Sequence, residues 1–227
     1  MKDILGEALH DHYYQNTPAT LWINNQYGPQ EDMPVDIYFR EPGDMPELEL
    51  IALKQCHGKV LDIGAGAGSH ALLLQQQGLD VTALDISAKA VAVMKARGVK
   101  NTIEADIFAY RDKRYDTLLL LMNGVGLAGT LDNLKAFLAH IKTLLKPHGQ
   151  LIFDSSDIGY LYEDDLPNPD KYYGELWYQY QYKKQQTEWF KWLYIDQQTL
   201  TDLAVAEGWT VEILHEDEYD QFLVRLT

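Results

Sequence analysis

Cysteine, long apolar runs and positive charge are scarce in this sequence of 227 residues. Its single cysteine, Cys56, cannot form an internal disulfide, and a chain without disulfides is typical of a reducing compartment. No apolar run approaches the roughly 20 residues that cross a bilayer, and the polar residues 1–10 do not resemble a signal peptide. We therefore expect a cytoplasmic protein that has no membrane partner.

Negative charge outweighs positive charge in this chain. Lys and Arg number 19 against 34 Asp and Glu, which leaves a formal net charge of −15. Because binding to a phosphate backbone needs a basic surface, we expect no nucleic-acid partner and attribute the acidity to solubility. The seven histidines do not have the spacing of a metal site, so we also expect no metal.

Helical and strand patterns alternate from residue 47 onward, which is typical of a parallel sheet with helices on both faces. Leu118 to Leu121 are apolar without interruption, as expected of a strand buried on both faces. Two further strands follow a helix and are close enough in sequence to pair antiparallel. We therefore predict an α/β fold with a seven-stranded, mostly parallel sheet and an antiparallel last strand. The predicted strands are 59–63, 80–84, 101–105, 115–122, 150–154, 209–215 and 221–226.

Two segments interrupt this alternation. Residues 1–46 are rich in Tyr, Asn, Pro and Gly, with a weak helical pattern over residues 4–14. Residues 158–195 are aromatic, and alternating Tyr and Gln over residues 178–182 predict a strand. Residues 189–195 form a second predicted strand, so we expect an aromatic β-hairpin inserted after the fifth strand as a cap. Its rings are expected to pack the insert onto the sheet, to line a ligand pocket, or both.

The strongest chemical signal joins the first strand to the next helix and reads Asp-Ile-Gly-Ala-Gly-Ala-Gly-Ser-His over residues 62–70. Glycines here allow positive φ and a close approach of a ligand, and the helix offers free backbone amides; a structural tight turn is the alternative. A dinucleotide site needs a glycine-like residue at position 69, where this chain has Ser69. The carboxylate of Asp62 would repel a pyrophosphate but attract a ligand that carries an ammonium and a sulfonium group.

Acidic and amide side chains follow the next three strands, at the edge where open α/β sheets bind ligands. Asp85 is placed to accept ribose hydroxyls. Asp106 is placed to accept an adenine amino group between the apolar Ile86 and Ile107, although it could instead cap the following turn. Asn123 lies beside the expected path of a reacting methyl group, although Asn is also a common turn residue.

Residues 47–227 resemble the class I S-adenosylmethionine-dependent methyltransferases of Rossmann-like fold, in particular those of the small-molecule type. The resemblance rests on the glycine motif, the acidic residues after the second and third strands, residues 115–126, and the Lys-Pro-His-Gly turn at 146–149. It implies S-adenosyl-L-methionine as cofactor and S-adenosyl-L-homocysteine as product. The cofactor contacts that it implies are Asp62, Gly64, Ala65, Gly66, Gly68, Asp85, Ile86, Asp106, Ile107 and Asn123.

One family motif is absent. Methyltransferases that act on nucleic-acid amino groups and on glutamine carry an Asn-Pro-Pro-Tyr type motif, but residues 123–126 of this chain read Asn-Gly-Val-Gly. Because the net charge of −15 disfavours RNA and no added recognition domain is evident, the expected reaction is methyl transfer to a small-molecule acceptor by in-line displacement at the sulfonium. Residues 1–46 are interpreted as a lid segment of the same domain, with Trp22 and Tyr27, and residues 47–227 as the methyltransferase domain.

The catalytic residues are unknown at this stage, and so are the methylated atom and the oligomeric state. Candidates for a base, by position only, are His12, Tyr13, Tyr14, Asp154 and Asp157. Three other functions stay open: a cofactor-binding protein without catalysis, a methyltransferase that acts on protein or RNA, and a nicotinamide-dependent oxidoreductase. Of these, the net charge disfavours RNA, and Asp62 and Ser69 disfavour a dinucleotide.

Overall fold

A computed structural model describes residues 2–15, 19–26, 28–112, 114–162 and 171–227 of this α/β protein. The α-helices are α1 (Ile4–Tyr14), α2 (Glu47–Gln55), α3 (Ser69–Gln76), α4 (Ala88–Arg97), α5 (Leu131–Leu144) and α6 (Gln197–Ala206). The strands are β1 (Leu21–Asn25), β2 (Glu31–Met33), β3 (Lys59–Ile63), β4 (Asp80–Asp85), β5 (Asn101–Glu104), β6 (Tyr115–Leu120), β7 (Leu145–Ser156), β8 (Glu175–Tyr182), β9 (Gln185–Gln186), β10 (Phe190–Leu193), β11 (Val211–Glu216) and β12 (Gln221–Leu226).

The main sheet has seven strands in the order β11-β12-β7-β6-β3-β4-β5. The pairs β3–β4, β4–β5 and β6–β7 are parallel. In contrast, β12 runs antiparallel to both β7 and β11. These directions confirm the predicted fold class, a mostly parallel sheet whose last strand is antiparallel.

The chain forms two compact units. The first comprises Met1–Pro46, His57–Tyr110 and Trp177–Phe190. The second comprises Glu47–Cys56, Arg111–Leu176 and Lys191–Thr227.

In the first unit, α1 is a helix with an apolar face, and that face is buried. Ile4, Ala8 and Leu9 share a core cluster with Val93 of α4 and with Tyr182 of β8. Removing such side chains from water is the main favourable term in folding, at about 25 cal/mol per Å² of apolar surface. The weak helical pattern over residues 4–14 therefore corresponds to a helix that its packing stabilises.

A second sheet has the order β10-β8-β1-β2, with β9 paired to β8. The period-two strand predicted at 178–182 is confirmed within β8, which pairs antiparallel with β1. The short strand β9 lies between the two strands predicted for the insert. Sequence analysis missed β1 and β2, because five and three residues are too few for a periodic pattern to show. Tyr27 and residues 163–170 of the predicted insert lie outside the described residues.

In the second unit, β7 is longer than the predicted strand 150–154. It begins at Leu145 because that residue pairs with Tyr115, and a register shift before Thr117 accommodates the turn at residues 146–149. The helix before it is α5, which Thr130 caps by accepting the Asn133 amide. These features bring the ends of β6 and β7 side by side.

Candidate functional site

The glycine loop between β3 and α3 has the backbone that its sequence predicts. Gly64, Gly66 and Gly68 have φ values of 68°, 56° and 83°, the left-handed region that side chains with a Cβ rarely adopt. The amides of Gly64 and Ala65 donate to the Leu84 carbonyl at 2.8 and 3.0 Å. The loop is therefore fastened to the end of β4, the strand that carries Asp85.

Gly66 is also a point of close approach. A Cβ added to Gly66 would lie 3.2 Å from Cδ1 of Tyr38, which belongs to a 3₁₀ helix at Val35–Phe39. The Ser69 hydroxyl donates to the Tyr38 carbonyl at 2.8 Å. Sequence analysis did not identify Tyr38, because the chain separation of 31 residues leaves no local signal for this contact.

Arg97, the last residue of α4, is a second residue that sequence analysis missed. Its Nη1 donates to the Ala67 carbonyl at 2.7 Å and to the Ser69 hydroxyl at 3.1 Å. Its guanidinium also lies 4.9 Å from the centre of the Phe39 ring. Arg97 therefore holds the glycine loop and the 3₁₀ helix together from one side.

Asp62 is buried next to this loop, and its two carboxylate oxygens differ in their surroundings. Its side chain is 2% exposed, and Oδ2 has no hydrogen-bond partner among the described residues. Burial raises the pKa of Asp62 to about 6, with a smaller increase from Asp85, while His70 and the Ala71 amide lower it. A buried acceptor without a partner is costly, so this atom fits a ligand that brings a cationic N–H donor.

Asp85 lies at the end of β4 and ties several backbone groups together. It accepts the Gly66 amide at 2.9 Å and the Ser87 amide at 2.8 Å, one on each oxygen. Burial raises the pKa of Asp85, and these amides oppose that shift. A carboxylate has about four acceptor positions, so Asp85 retains capacity for ligand hydroxyls.

The remaining residues predicted at this edge of the first unit differ in their surroundings. Ile86 is 70% exposed, an unusual position for a large apolar side chain, whereas Ile107 is buried. Asp106 is exposed, and its Oδ1 accepts the Phe108 amide at 2.9 Å. Asp106 therefore caps the following turn through Oδ1, and among the described residues no hydrogen bond occupies its Oδ2.

In the second unit, Asn123 is buried at the end of β6 and begins a 3₁₀ helix at Gly124–Ala128. Its amide donates to both carboxylate oxygens of Asp154, at 3.1 and 2.9 Å. Asp154 is 1% exposed, so this candidate base is committed to the protein backbone. Asn123 is therefore both a turn residue, as one reading of the sequence had it, and part of a buried polar network.

Asp157, another candidate base of the second unit, belongs to a cluster of phenols and carboxylates. Tyr173 donates to Asp157 at 2.6 Å, and Tyr172 donates to Asp196 at 2.6 Å. Burial, with these carboxylates, raises the pKa of both phenols, so the tyrosines stay protonated as donors. The cluster orders the end of β7 and the start of α6.

The candidate bases of α1 also have contacts within the first unit. The His12 ring stacks on Phe39 at a centroid distance of 4.6 Å, and the Tyr13 hydroxyl donates to the Ala96 carbonyl at 3.2 Å. Tyr14 is 56% exposed and packs beside His10. Among the described residues, no carboxylate accepts a hydrogen bond from any of these three side chains.

Within the described ranges, no three or more His, Cys, Asp or Glu side chains are grouped so that they could hold a metal ion. In the same part of the chain, no helix combines the length and apolar character needed to cross a membrane.

Comparisons with known proteins identify a family for this chain. A family model described as a methyltransferase domain matches residues 61–153. A SAM-dependent methyltransferase from Bacteroides fragilis, solved with S-adenosyl-L-homocysteine, is 42% identical. Its match has a TM-score of 0.93 and covers 100% of this chain and 94% of that chain. No curated protein sequence matches this chain.

More distant structures share the fold alone. The CcbJ methyltransferase from Streptomyces caelestis is 13% identical, with a TM-score of 0.65 over 98% of this chain and 97% of that chain. The sugar N-methyltransferase KedS8 from a Streptoalloteichus species is 15% identical, with a TM-score of 0.59 over 88% and 96% of the two chains. With the 42% identity to the Bacteroides fragilis enzyme over the whole length, the chain belongs to the S-adenosylmethionine-dependent methyltransferases.

Proposed function

We propose that the first unit of this methyltransferase holds S-adenosylmethionine at the glycine loop and that the acceptor of the methyl group is a small molecule. The observation that carries the cofactor assignment is the buried Oδ2 of Asp62, which no described residue hydrogen-bonds. It is the kind of acceptor that an ammonium group would satisfy. Because Asp62 lies two positions before Gly64, the first of three left-handed glycines, the same ligand can reach the backbone of that loop.

Each predicted contact then has a role that its surroundings support. The backbone of Gly64, Ala65, Gly66 and Gly68 lies along the cofactor, and Asp85 accepts its ribose hydroxyls. Ile86 covers one face of the adenine, which accounts for a large apolar side chain at 70% exposure. The free oxygen of Asp106 accepts the adenine amino group, and the buried Ile107 supports that turn. The role of Asn123 rests on its position after the fourth parallel strand.

The cofactor supplies a methyl group that its sulfonium already activates. The chain therefore has to bind, orient and exclude water, rather than generate an electrophile. Asp62 supplies negative charge near the glycine loop, where burial makes its interaction with a cation stronger than in water. Arg97 and Tyr38 keep the loop in its left-handed conformation from the side of residues 35–39.

The small-molecule assignment rests on the net charge of this chain and on the acceptor named for a protein of the same fold. A formal net charge of −15 opposes RNA or DNA as an acceptor. A fold neighbour is named a sugar N-methyltransferase, so this fold accommodates small acceptors. Residues 1–46 are proposed as the lid over the cofactor, because Tyr38 contacts Gly66 and Asp3 accepts the Ser87 hydroxyl at 2.7 Å.

Calorimetric titration with S-adenosylhomocysteine tests the cofactor assignment. We expect Ile86→Ser to weaken binding by about tenfold, because it replaces apolar contact worth about 1.4 kcal/mol. The matched control is Val205→Ser, because Val205 is also an exposed apolar side chain, at 57%, and lies on α6. If both variants bind S-adenosylhomocysteine as tightly as the wild type, Ile86 does not cover the adenine.

Methyl transfer in a cell extract tests the acceptor class. The enzyme is incubated with cofactor that carries a labelled methyl group, and the extract is then separated into small molecules, protein and RNA. We expect enzyme-dependent label in the small-molecule fraction, and an Asp85→Asn variant is the control for dependence on this site. Label confined to protein or RNA would refute a small acceptor while leaving the cofactor site intact.

A further inference from the structure

The end of β6 has an unusual backbone conformation. Met122 and Asn123 follow each other with φ values of 61° and 51°, although neither is glycine. A left-handed conformation is uncommon for Met, and two successive residues in it require contacts that hold them there. Such conformations occur preferentially at functional sites.

The contacts that hold this turn converge on Asp154 of β7. The Asn123 amide donates to both of its carboxylate oxygens, at 3.1 and 2.9 Å. Gln221 of β12 donates from Nε2 to Oδ2 of the same carboxylate at 3.0 Å. Asp154 is 1% exposed, so no solvent competes for these bonds.

The side chain of Asn123 is fixed by a second set of bonds. Its Oδ1 accepts the Ser155 hydroxyl at 3.1 Å, and its Nδ2 donates to the Leu193 carbonyl at 3.3 Å. The Ser155 oxygen in turn accepts the Ile195 amide at 3.0 Å. The Asn123 backbone is therefore held by Asp154 and its side chain by Ser155, two adjacent residues of β7. Of these two side chains, only the Asp154 carboxylate carries charge.

The charge of Asp154 depends on a few neighbours. Burial raises its pKa to about 6; the Asn123 amide and Gln221 lower it, and Glu49 of α2 raises it. The groups that β6 and β12 contribute, the Asn123 amide and the Gln221 side chain, are neutral. Glu49 is therefore the acidic neighbour that acts on the pKa of Asp154. A proton on Asp154 would convert one acceptor oxygen into a hydroxyl donor. The carboxyl would then hold the Asn123 amide more weakly.

We infer that Asp154 is a positioning residue of this methyltransferase, whose carboxylate holds the Met122–Asn123 turn in the conformation that cofactor binding requires. The inference rests on the proposed placement of Asn123 at the cofactor. Asp154 acts through the Asn123 backbone and touches neither cofactor nor acceptor, which separates it from a base. Its effect is therefore on the geometry of the turn rather than on proton transfer.

Nuclear magnetic resonance of the ¹⁵N-labelled protein tests the first half of the inference. The amide signal of Asn123 is expected to shift with pH around the ionisation of Asp154, and to lose this shift in Asp154→Asn. Gln221→Leu keeps the carboxyl but removes a donor to it, so the midpoint of the Asn123 shift is expected to move to higher pH. An Asn123 signal that does not change with pH, or a midpoint that Gln221→Leu leaves in place, would overturn the inference.

Calorimetry with S-adenosylhomocysteine at pH 7.5 tests the second half. We expect Asp154→Asn to bind about tenfold more weakly, because hydrogen bonds to a charged group are lost from the turn. Thr117→Val, which removes a buried 3.2 Å bond to Gln150 from the same strand β6, is the matched control and should bind as the wild type does. The same loss in both variants would indicate a general effect on stability and overturn the positioning role.

Asp85→Asn separates this inference from the proposed function. If Asp85→Asn weakens binding and Asp154→Asn does not, the cofactor site stands and the positioning role is wrong. If Asp85→Asn also binds like the wild type, the proposed site itself is wrong. Should Asp154→Asn fail to fold, the Gln221→Leu titration still decides whether the carboxylate holds the turn, and calorimetry of Gln221→Leu, which loses one bond to Asp154, decides whether cofactor binding depends on it: affinity equal to that of the wild type would overturn the positioning role.

Discussion

Gly66 and Gly78 share a left-handed backbone, with φ values of 56° and 89°, but differ in what surrounds them. A Cβ on Gly66 would meet Tyr38 at 3.2 Å, whereas a Cβ on Gly78 would meet nothing within 4 Å. We expect Gly78→Ala to lose about 1 kcal/mol of unfolding free energy from backbone strain alone. Gly66→Ala should lose more and should also bind cofactor more weakly. Urea denaturation and calorimetry measure both, and equal losses in the two variants would contradict a role for close approach.

Asp62 is expected to release protons when the cofactor binds. Its pKa of about 6 reflects burial, and a cationic ligand would favour the ionised form and lower that pKa. At pH 6, calorimetry of S-adenosylmethionine binding in two buffers of different ionisation enthalpy should therefore show proton release. The release should vanish at pH 8, where the carboxyl is already ionised, and in Asp62→Asn. Undiminished release in Asp62→Asn would assign the proton to another group.

Sequence and structure agree best for residues whose role depends on their neighbours in the chain. Asp62, Asp85 and the glycines could be located because they follow predicted strands at fixed spacing. Tyr38 and Arg97 could not, because their contacts with the loop depend on how distant segments pack. Asp154 is a base candidate by its position in the sequence, and the proposed positioning role rests on the Asn123 amide at both of its oxygens.

At the scale of elements, the first turns of α1 and α4 share one hydrogen-bonded cap. Ser87 accepts the Ala90 amide at 2.9 Å as the cap of α4, and donates to Asp3, the cap of α1, at 2.7 Å. Ser87→Ala should lose this cap and the link to α1, at about 1–2 kcal/mol of unfolding free energy. Thr130→Ala, which removes only the cap of α5, should lose less. A smaller loss in Ser87→Ala than in Thr130→Ala would show that the link contributes nothing.

The longer helices and strands were predicted well, and the short strands β1 and β2 were missed. The parallel strands and the helices of the main sheet carry apolar patterns with glycine or capping residues at their ends. β1 and β2 carry no such pattern, and β1 is defined by its pairing with β8 far along the chain. The aromatic residues of β8 were recognised as a strand, while their partner in residues 21–25 could not be.

At the scale of the whole molecule, buried carboxyls set how stability depends on pH. The pKa values of Asp62 and Asp154 are raised to about 6 in the folded state. The folded protein therefore binds more protons than the unfolded chain between about pH 4 and 6, and stability falls as pH rises through that window. The pKa of Asp196 is lowered, so its contribution is lost only as pH falls below about 4.

We therefore expect the urea midpoint to be higher at pH 5 than at pH 7.5. Each raised carboxyl contributes up to about 3 kcal/mol to the difference in unfolding free energy. Asp62→Asn and Asp154→Asn should each reduce the difference, and the double variant should reduce it most. Measurements at low protein concentration are needed, because pH 5 is close to the isoelectric point of about 4.7. A midpoint that rises from pH 5 to 7.5 would contradict this account.

The antiparallel pairing of β1 with β8 has a consequence for biosynthesis. Tyr182 of β8 reaches back to Asp11 across 171 positions of chain, and Leu21 pairs with the same tyrosine. When β1 and β2 leave the ribosome, the strand that completes their sheet has not yet been translated. The apolar side chains of Leu21 and α1 therefore stay unburied until β8 is synthesised. Closing the chain between β1 and β8 has an entropic cost that grows with the intervening length. The first unit is therefore built from segments that are synthesised at different times. A nascent chain stalled before residue 177 should depend on chaperones.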